Sequence, residues 1–111
     1  MLKKSVAIYV PGTKNVDVPL RRSEQRPYEL DVIGKLSRLF GGATSFPALG
    51  GYVAQAGNLV VENIRVVRAS AETLQPADLA AVREIANDLR LALGQESVSI
   101  EVNGALDFVS G

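Results

Sequence analysis

FPALGGYVAQAGNLVVENIRVVRA, residues 46–69, is the stretch whose reading decides the fold. Gly57-Asn58 favours a tight reversal and is flanked by two runs of strand-forming residues, so residues 43–69 read as a β-hairpin. Phe46, Leu49, Tyr52 and Val53 belong to the first arm. Pro47 lacks an amide donor and Gly50-Gly51 weakens pairing, which predicts a bulge or an edge strand there. The second arm, Leu59 to Ala69, carries Leu59-Val60-Val61 and then Ile64, Val66 and Val67. That is too dense for a strand wetted on one face, and it predicts burial on both sides, by helices and by another subunit.

Helical patterns lie on either side of the hairpin. Upstream, Val32, Ile33, Leu36, Leu39 and Phe40 recur at helical spacing, with Pro27 suited to the first helical position and Gly41 to the end. Downstream, Pro76 opens a second helix whose stripe is Leu79, Val82, Ile85, Ala86, Leu89 and Leu93, and Gly94 closes it. Strands bound the whole. Ser5 to Val10 alternates before Pro11-Gly12, and Val98, Ile100 and Val102 alternate with Ser99, Glu101 and Asn103. Asn103-Gly104 then predicts a two-residue turn into a short last strand with Leu106 and Phe108. The order is βαββαβ plus one strand, an α+β, ferredoxin-like sandwich with both helices on one face of an antiparallel sheet, in a single domain over 1–111.

Composition narrows the chemistry. The chain has 111 residues, no histidine and no cysteine. Imidazole bases, thiol nucleophiles, disulfides and the ordinary zinc, haem and iron–sulfur ligand sets are therefore excluded. Its carboxylates are scattered, without the spacing of a calcium loop, and no phosphate-binding glycine loop or dinucleotide fingerprint occurs. No cofactor is expected. The longest amino-terminal apolar run, Val6 to Val10, is too short for a secretory signal, and no run approaches the roughly 20 residues of a membrane helix. The expected compartment is the cytoplasm, with no membrane association. Twelve basic and twelve acidic residues cancel, but unevenly. Eight of the basic residues precede Ala43, and eight of the acidic ones follow Gly42. Opposed poles suit self-assembly, whereas the few aromatics and the absence of a basic–aromatic strand argue against nucleic acid.

Three segments are candidate sites. The polar stretch Pro11 to Arg26 shows neither period and carries Lys14, Arg21, Arg22 and Arg26. It either folds over an anionic ligand or is simply a solvated loop. Glu62, Arg65 and Arg68 punctuate the second hairpin arm, where they line a cleft or subunit interface or else mark the edge or ends of the strand. Gly41-Gly42-Ala43-Thr44-Ser45 permits close approach of a ligand or another backbone, although helix capping explains Gly41 as well.

Element order and hairpin together resemble the trimeric PII-type and CutA-like ferredoxin-like proteins. Tyr52, Gly57, Glu62 and Val66-Val67 carry the match, which covers about 25 residues closely. The resemblance implies trimer assembly. It does not bring nucleotide or copper binding, because the tryptophan, histidine, lysine and cysteine positions of CutA-like chains are unfilled. The long PII-type loop is also cut to Ala54–Asn58.

These readings lead to a non-catalytic, small-ligand-binding or regulatory module acting as a homo-oligomer, a trimer or a dimer. Its ligand would be a small anion held by Arg21, Arg22, Tyr52 and Arg65, between the basic loop and the hairpin. The alternative is a small cofactor-free enzyme of the dimeric ferredoxin-like type, with Glu62 as base beside Tyr52 in an apolar cleft. A nucleic-acid-binding module is the third reading.

Overall fold

Val6, Ile8 and Val10 of the first strand form the axis of the molecule, each 1% exposed or less. The computed structural model describes all 111 residues. The elements in chain order are β1 (Lys4–Val10), β2 (Thr13–Lys14), β3 (Val18–Pro19), α1 (Arg22–Phe40), β4 (Thr44–Val53), β5 (Leu59–Ala71), α2 (Pro76–Leu93), β6 (Ser97–Val102) and β7 (Ala105–Ser110). Five strands make one antiparallel sheet in the order β4-β5-β1-β6-β7, and β2 pairs with β3 in a separate ribbon. This is the expected ferredoxin-like arrangement with β7 added beside β6. Neither helix is long and apolar enough to cross a membrane.

Strand alternation sorts the side chains to two faces. On one face Ile8 lies between Val67 of β5 and Ile100 of β6 in the register. Val32 and Leu36 of α1 and Val82, Ile85, Ala86, Leu89 and Leu93 of α2 close over this row. Each such aliphatic side chain contributes about 1.5–3 kcal/mol by leaving water. The opposite face holds a buried cluster of only Ala7, Ile64 and Val66, with Tyr9, Phe46 and Ala48 packed around it. No helix packs there, and Phe108 of β7 remains 56% exposed.

The second helix follows its stripe. The Gln75 N–H donates to Asp78 Oδ2 at 2.8 Å, and Gly94 ends the helix at φ +62°. The first helix differs from expectation: it begins at Arg22, so Pro27 is its sixth residue rather than its first. Glu24 Oε1 accepts the Arg21 N–H at 2.9 Å and fixes the start. The inward positions of α1 run Gln25, Glu29, Val32, Leu36. The first two are polar, which is why no apolar period marks them.

Residues 11–26 are likewise more ordered than their composition predicts. Thr13 pairs with Pro19 and Lys14 with Val18, the Leu20 N–H donates to the Gly12 carbonyl at 2.8 Å, and α1 follows directly.

The hairpin runs from Thr44↔Arg68 to Val53↔Leu59 without interruption, so there is no bulge at Pro47 or Gly50-Gly51. Pro47 is accommodated because β4 is an edge strand. The dense arm β5 lies between β4 and β1, so Glu62, Arg65 and Arg68 do not mark an edge. Its two-sided burial holds only in part. Ile64, Val66, Val67 and Ala69 are buried, whereas Leu59 and Val61 stand exposed where the hairpin outruns the helices.

Candidate functional site

A cavity of about 530 Å³ opens on the uncovered face of the sheet. Tyr9 of β1, Tyr52 of β4, Glu62 of β5 and Phe108 of β7 line it, together with Glu96 from the turn before β6. Gly50 lies on its wall, and a side chain there would stand beside Glu62 and Ile64 and take up part of the space. Two glutamates and no lysine or arginine contribute to the lining. Aromatic faces and carboxylates without a competing cation suit a positively charged organic ligand.

Tyr9 reaches across the face and donates its hydroxyl to Glu101 Oε2 at 2.7 Å. Burial raises its pKa above the ordinary tyrosine value of 10.0; the bond to Glu101 and that carboxylate's charge push the same way, against Arg68. Glu62 is held by one oxygen: Oε2 accepts the Gly12 N–H and the Thr13 hydroxyl, each at 3.2 Å. The geometry needs glycine at position 12, because an added Cβ would sit 2.0 Å from the Asn63 carbonyl oxygen.

A second cavity, about 400 Å³, lies under the start of α1 and also has Glu62 in its wall. Arg22, Gln25 and Arg65 line it. Gln25 is buried and donates to the carbonyls of Pro11 and Asn63, both at 3.1 Å, which ties α1 to the residue after β1 and to β5. The Glu29 carboxylate, 4% exposed, accepts from Arg22 Nη2 and lies 4.0 Å from Arg65 Nε. Burial pushes its pKa up, but hydrogen bonds from Arg22 and Ser45 and the charges of Arg22 and Arg65 outweigh that and hold it below 4.5.

The four residues expected to share a ligand fall into three places. Arg22 and Arg65 converge, but on Glu29, so an anion drawn to them meets a carboxylate already in position. Arg21 caps α1 with its side chain 87% exposed, 3.9 Å from Glu24. Tyr52 lies in the other cavity, with Glu62. Arg68 stacks on Phe46, 5.1 Å from the ring centroid, and Gly41 caps α1 at φ +89°. Tyr9, Glu101, Gly12 and Thr13 were not singled out from sequence. They are brought to Glu62 or to its cavity by strand pairing, and only the Pro11-Gly12 break gave a local sign.

No protein-family model matches the chain, and no curated protein matches it in sequence. Two solved structures do match. One is a phage SAM lyase in complex with S-methyl-5'-thioadenosine, 24% identical, covering 97% of this chain and 89% of that one with a TM-score of 0.70. The other is a phage SAM lyase in the apo state, 22% identical, covering 99% and 90% with a TM-score of 0.67. They support the ferredoxin-like part of the family resemblance. They also correct the functional expectation. The matched chains are enzymes, which runs against the expectation of a non-catalytic regulatory module, and at 24% and 22% identity the likeness itself shows the fold.

Proposed function

We propose that this protein is a lyase of S-adenosylmethionine. It would break the bond between the sulfonium sulfur and the aminobutyrate chain and release S-methyl-5'-thioadenosine. The observation that carries this reading is the cavity on the uncovered face, with Tyr9, Tyr52, Phe108 and two glutamates but no cation. The aromatic rings suit stacking on adenine and contact with a sulfonium, and the carboxylates offset its charge. Likeness to the phage enzymes over nearly the whole chain supports it further.

The reaction asks for little that this chain lacks. The C–S electron pair leaves with the sulfur, which becomes a neutral thioether and needs no acid. At the carbon, either the substrate's own carboxylate attacks and closes a lactone, or the adjacent carbon gives its proton to a carboxylate of the cavity, Glu62 or Glu96, and an alkene forms. Because positive charge vanishes as the bond breaks, Glu62 and Glu96 serve capture and orientation more than bond cleavage. Rate comes from holding the chain in its reactive conformer and from exclusion of water. Tyr52 and Glu62 are the residues assigned to substrate, with Tyr9 oriented by Glu101.

The protein acts as a homo-oligomer in this reading, as the PII-like resemblance implies. Tyr52, Leu106 and Phe108 on the cavity's face each stand more than half exposed, and subunit contact would cover them and dry the cavity. Chromatography and NMR of S-adenosylmethionine incubated with purified protein test the activity. Release of S-methyl-5'-thioadenosine is expected, lost in Glu62→Gln, and the co-product identifies the route. Intact substrate after prolonged incubation removes the proposal. Light scattering that returns the monomer mass removes the oligomer.

A further inference from the structure

We infer that the ribbon β2–β3 is a positioning arm: Thr13, held by Gln95, orients the Glu62 carboxylate toward the substrate. This rests on the lyase reading above. Residues 11–20 do not drape over a ligand; they are clamped to the body at several points. The Asn15 N–H donates to the Leu93 carbonyl at 2.7 Å, and Gln95 Nε2 donates to the Thr13 carbonyl at 2.8 Å. The same Nε2 lies 3.3 Å from Thr13 Oγ1, whose hydrogen is thereby left for Glu62 Oε2 at 3.2 Å. A chain of contacts thus runs from the end of α2 through Gln95 and Thr13 to Glu62.

The arrangement is one-sided. Both donors to Glu62, the Gly12 N–H and the Thr13 hydroxyl, go to Oε2, and Oε1 makes no hydrogen bond within the chain. A carboxylate fixed by one oxygen presents the other in a defined direction, as orientation of a reacting cation requires. Gln25 supports the same corner from the other side, since its amide holds the Asn63 carbonyl next to Glu62. Gly12 completes it, because no side chain fits against that carbonyl.

Two substitutions isolate the hydroxyl. Thr13→Val keeps the shape and strand preference but removes the donor, and Thr13→Ser keeps the donor. Thr13→Val is expected to lower kcat by about tenfold with little change in KM, and Thr13→Ser to stay within about twofold of wild type. Gln95→Met, which leaves Thr13 in place but unsupported, is expected to lose less, about threefold. Wild-type kcat in Thr13→Val overturns the inference. So does an equal loss in Thr13→Ser, which would point to the ribbon's fold rather than its hydroxyl. If Thr13→Val does not fold, an unchanged kcat in Gln95→Met overturns it instead. The wild-type reaction keeps the two claims apart. No S-methyl-5'-thioadenosine from wild type defeats the lyase reading and this inference with it, whereas an active wild type beside an equally active Thr13→Val defeats this inference alone.

Discussion

The two faces of the sheet are made by the same strands under the same alternation, yet they end in opposite states. One face is roofed by α1 and α2 over a fifteen-residue buried cluster, and the other buries only three residues in the single chain. The roofed face is apolar and close-packed. The bare face mixes aromatics, carboxylates and serines with one exposed leucine, Leu106. Packing secures the first, while the second keeps the polar and aromatic groups that a ligand or another copy can use. Stability and chemistry are thus divided across the thickness of one sheet.

The strongest test of that division compares truncations on the two faces. Ile8→Ala is expected to cost about 2–5 kcal/mol in urea unfolding, since Ile8 is fully buried between two strands and the helices. Phe108→Ala should cost under about 1 kcal/mol when the chain is diluted to a monomer. Equal losses would mean that the bare face is a second core.

Arg65 sharpens the contrast, because it brings charge into the roofed side. Arg65→Leu should destabilise by about 1–3 kcal/mol at neutral pH by leaving the buried Glu29 with Arg22 as its one positive partner. The folded pKa of Glu29 is lowered, so its contribution is present above 4.5 and disappears as pH falls through the depressed value. The difference between wild type and Arg65→Leu should therefore shrink on acidification below 4.5. A constant difference would assign Arg65 to packing.

The smallest effect belongs to Tyr9. Its folded pKa is raised, so any stability it adds is present at neutral pH and is lost as pH rises through that value. Absorbance titration of the native protein should show a tyrosine step above 10.0 that is missing in Tyr9→Phe. An unchanged titration curve would detach Tyr9 from Glu101.

Legibility in the sequence tracked how local each signal was. The α2 stripe, its Gly94 end and the Asn103-Gly104 turn each declare themselves within a few residues, and the structure has all three; the central hairpin instead reverses over Gln55-Ala56, where the Gly57 N–H donates to the Ala54 carbonyl and Gly57 takes φ +89°. Tyr52 and Glu62, the pair named for the enzyme alternative, share the cavity. The first turns of α1 were hidden because Gln25 and Glu29 occupy inward positions and make polar contacts instead of apolar ones. Arg21, Arg22, Tyr52 and Arg65 looked like one group because they neighbour each other in the folding pattern. Alternation put Tyr52 on the far face, and Glu29 claimed two of the arginines.

The order of apolar periods and turn residues was enough to settle the order of the five main strands and two helices and the antiparallel sheet, though not the β2–β3 ribbon or the start of α1. These depend on local backbone preference and on which side of each element must leave water. What the tertiary structure alone decided is the neighbourhood of Glu62 and Tyr9. The Gly12 amide lies 50 positions from Glu62, and the Tyr9 hydroxyl 92 from Glu101. Contacts at such separations leave no period behind, because they exist only once strands distant in the chain have been laid side by side.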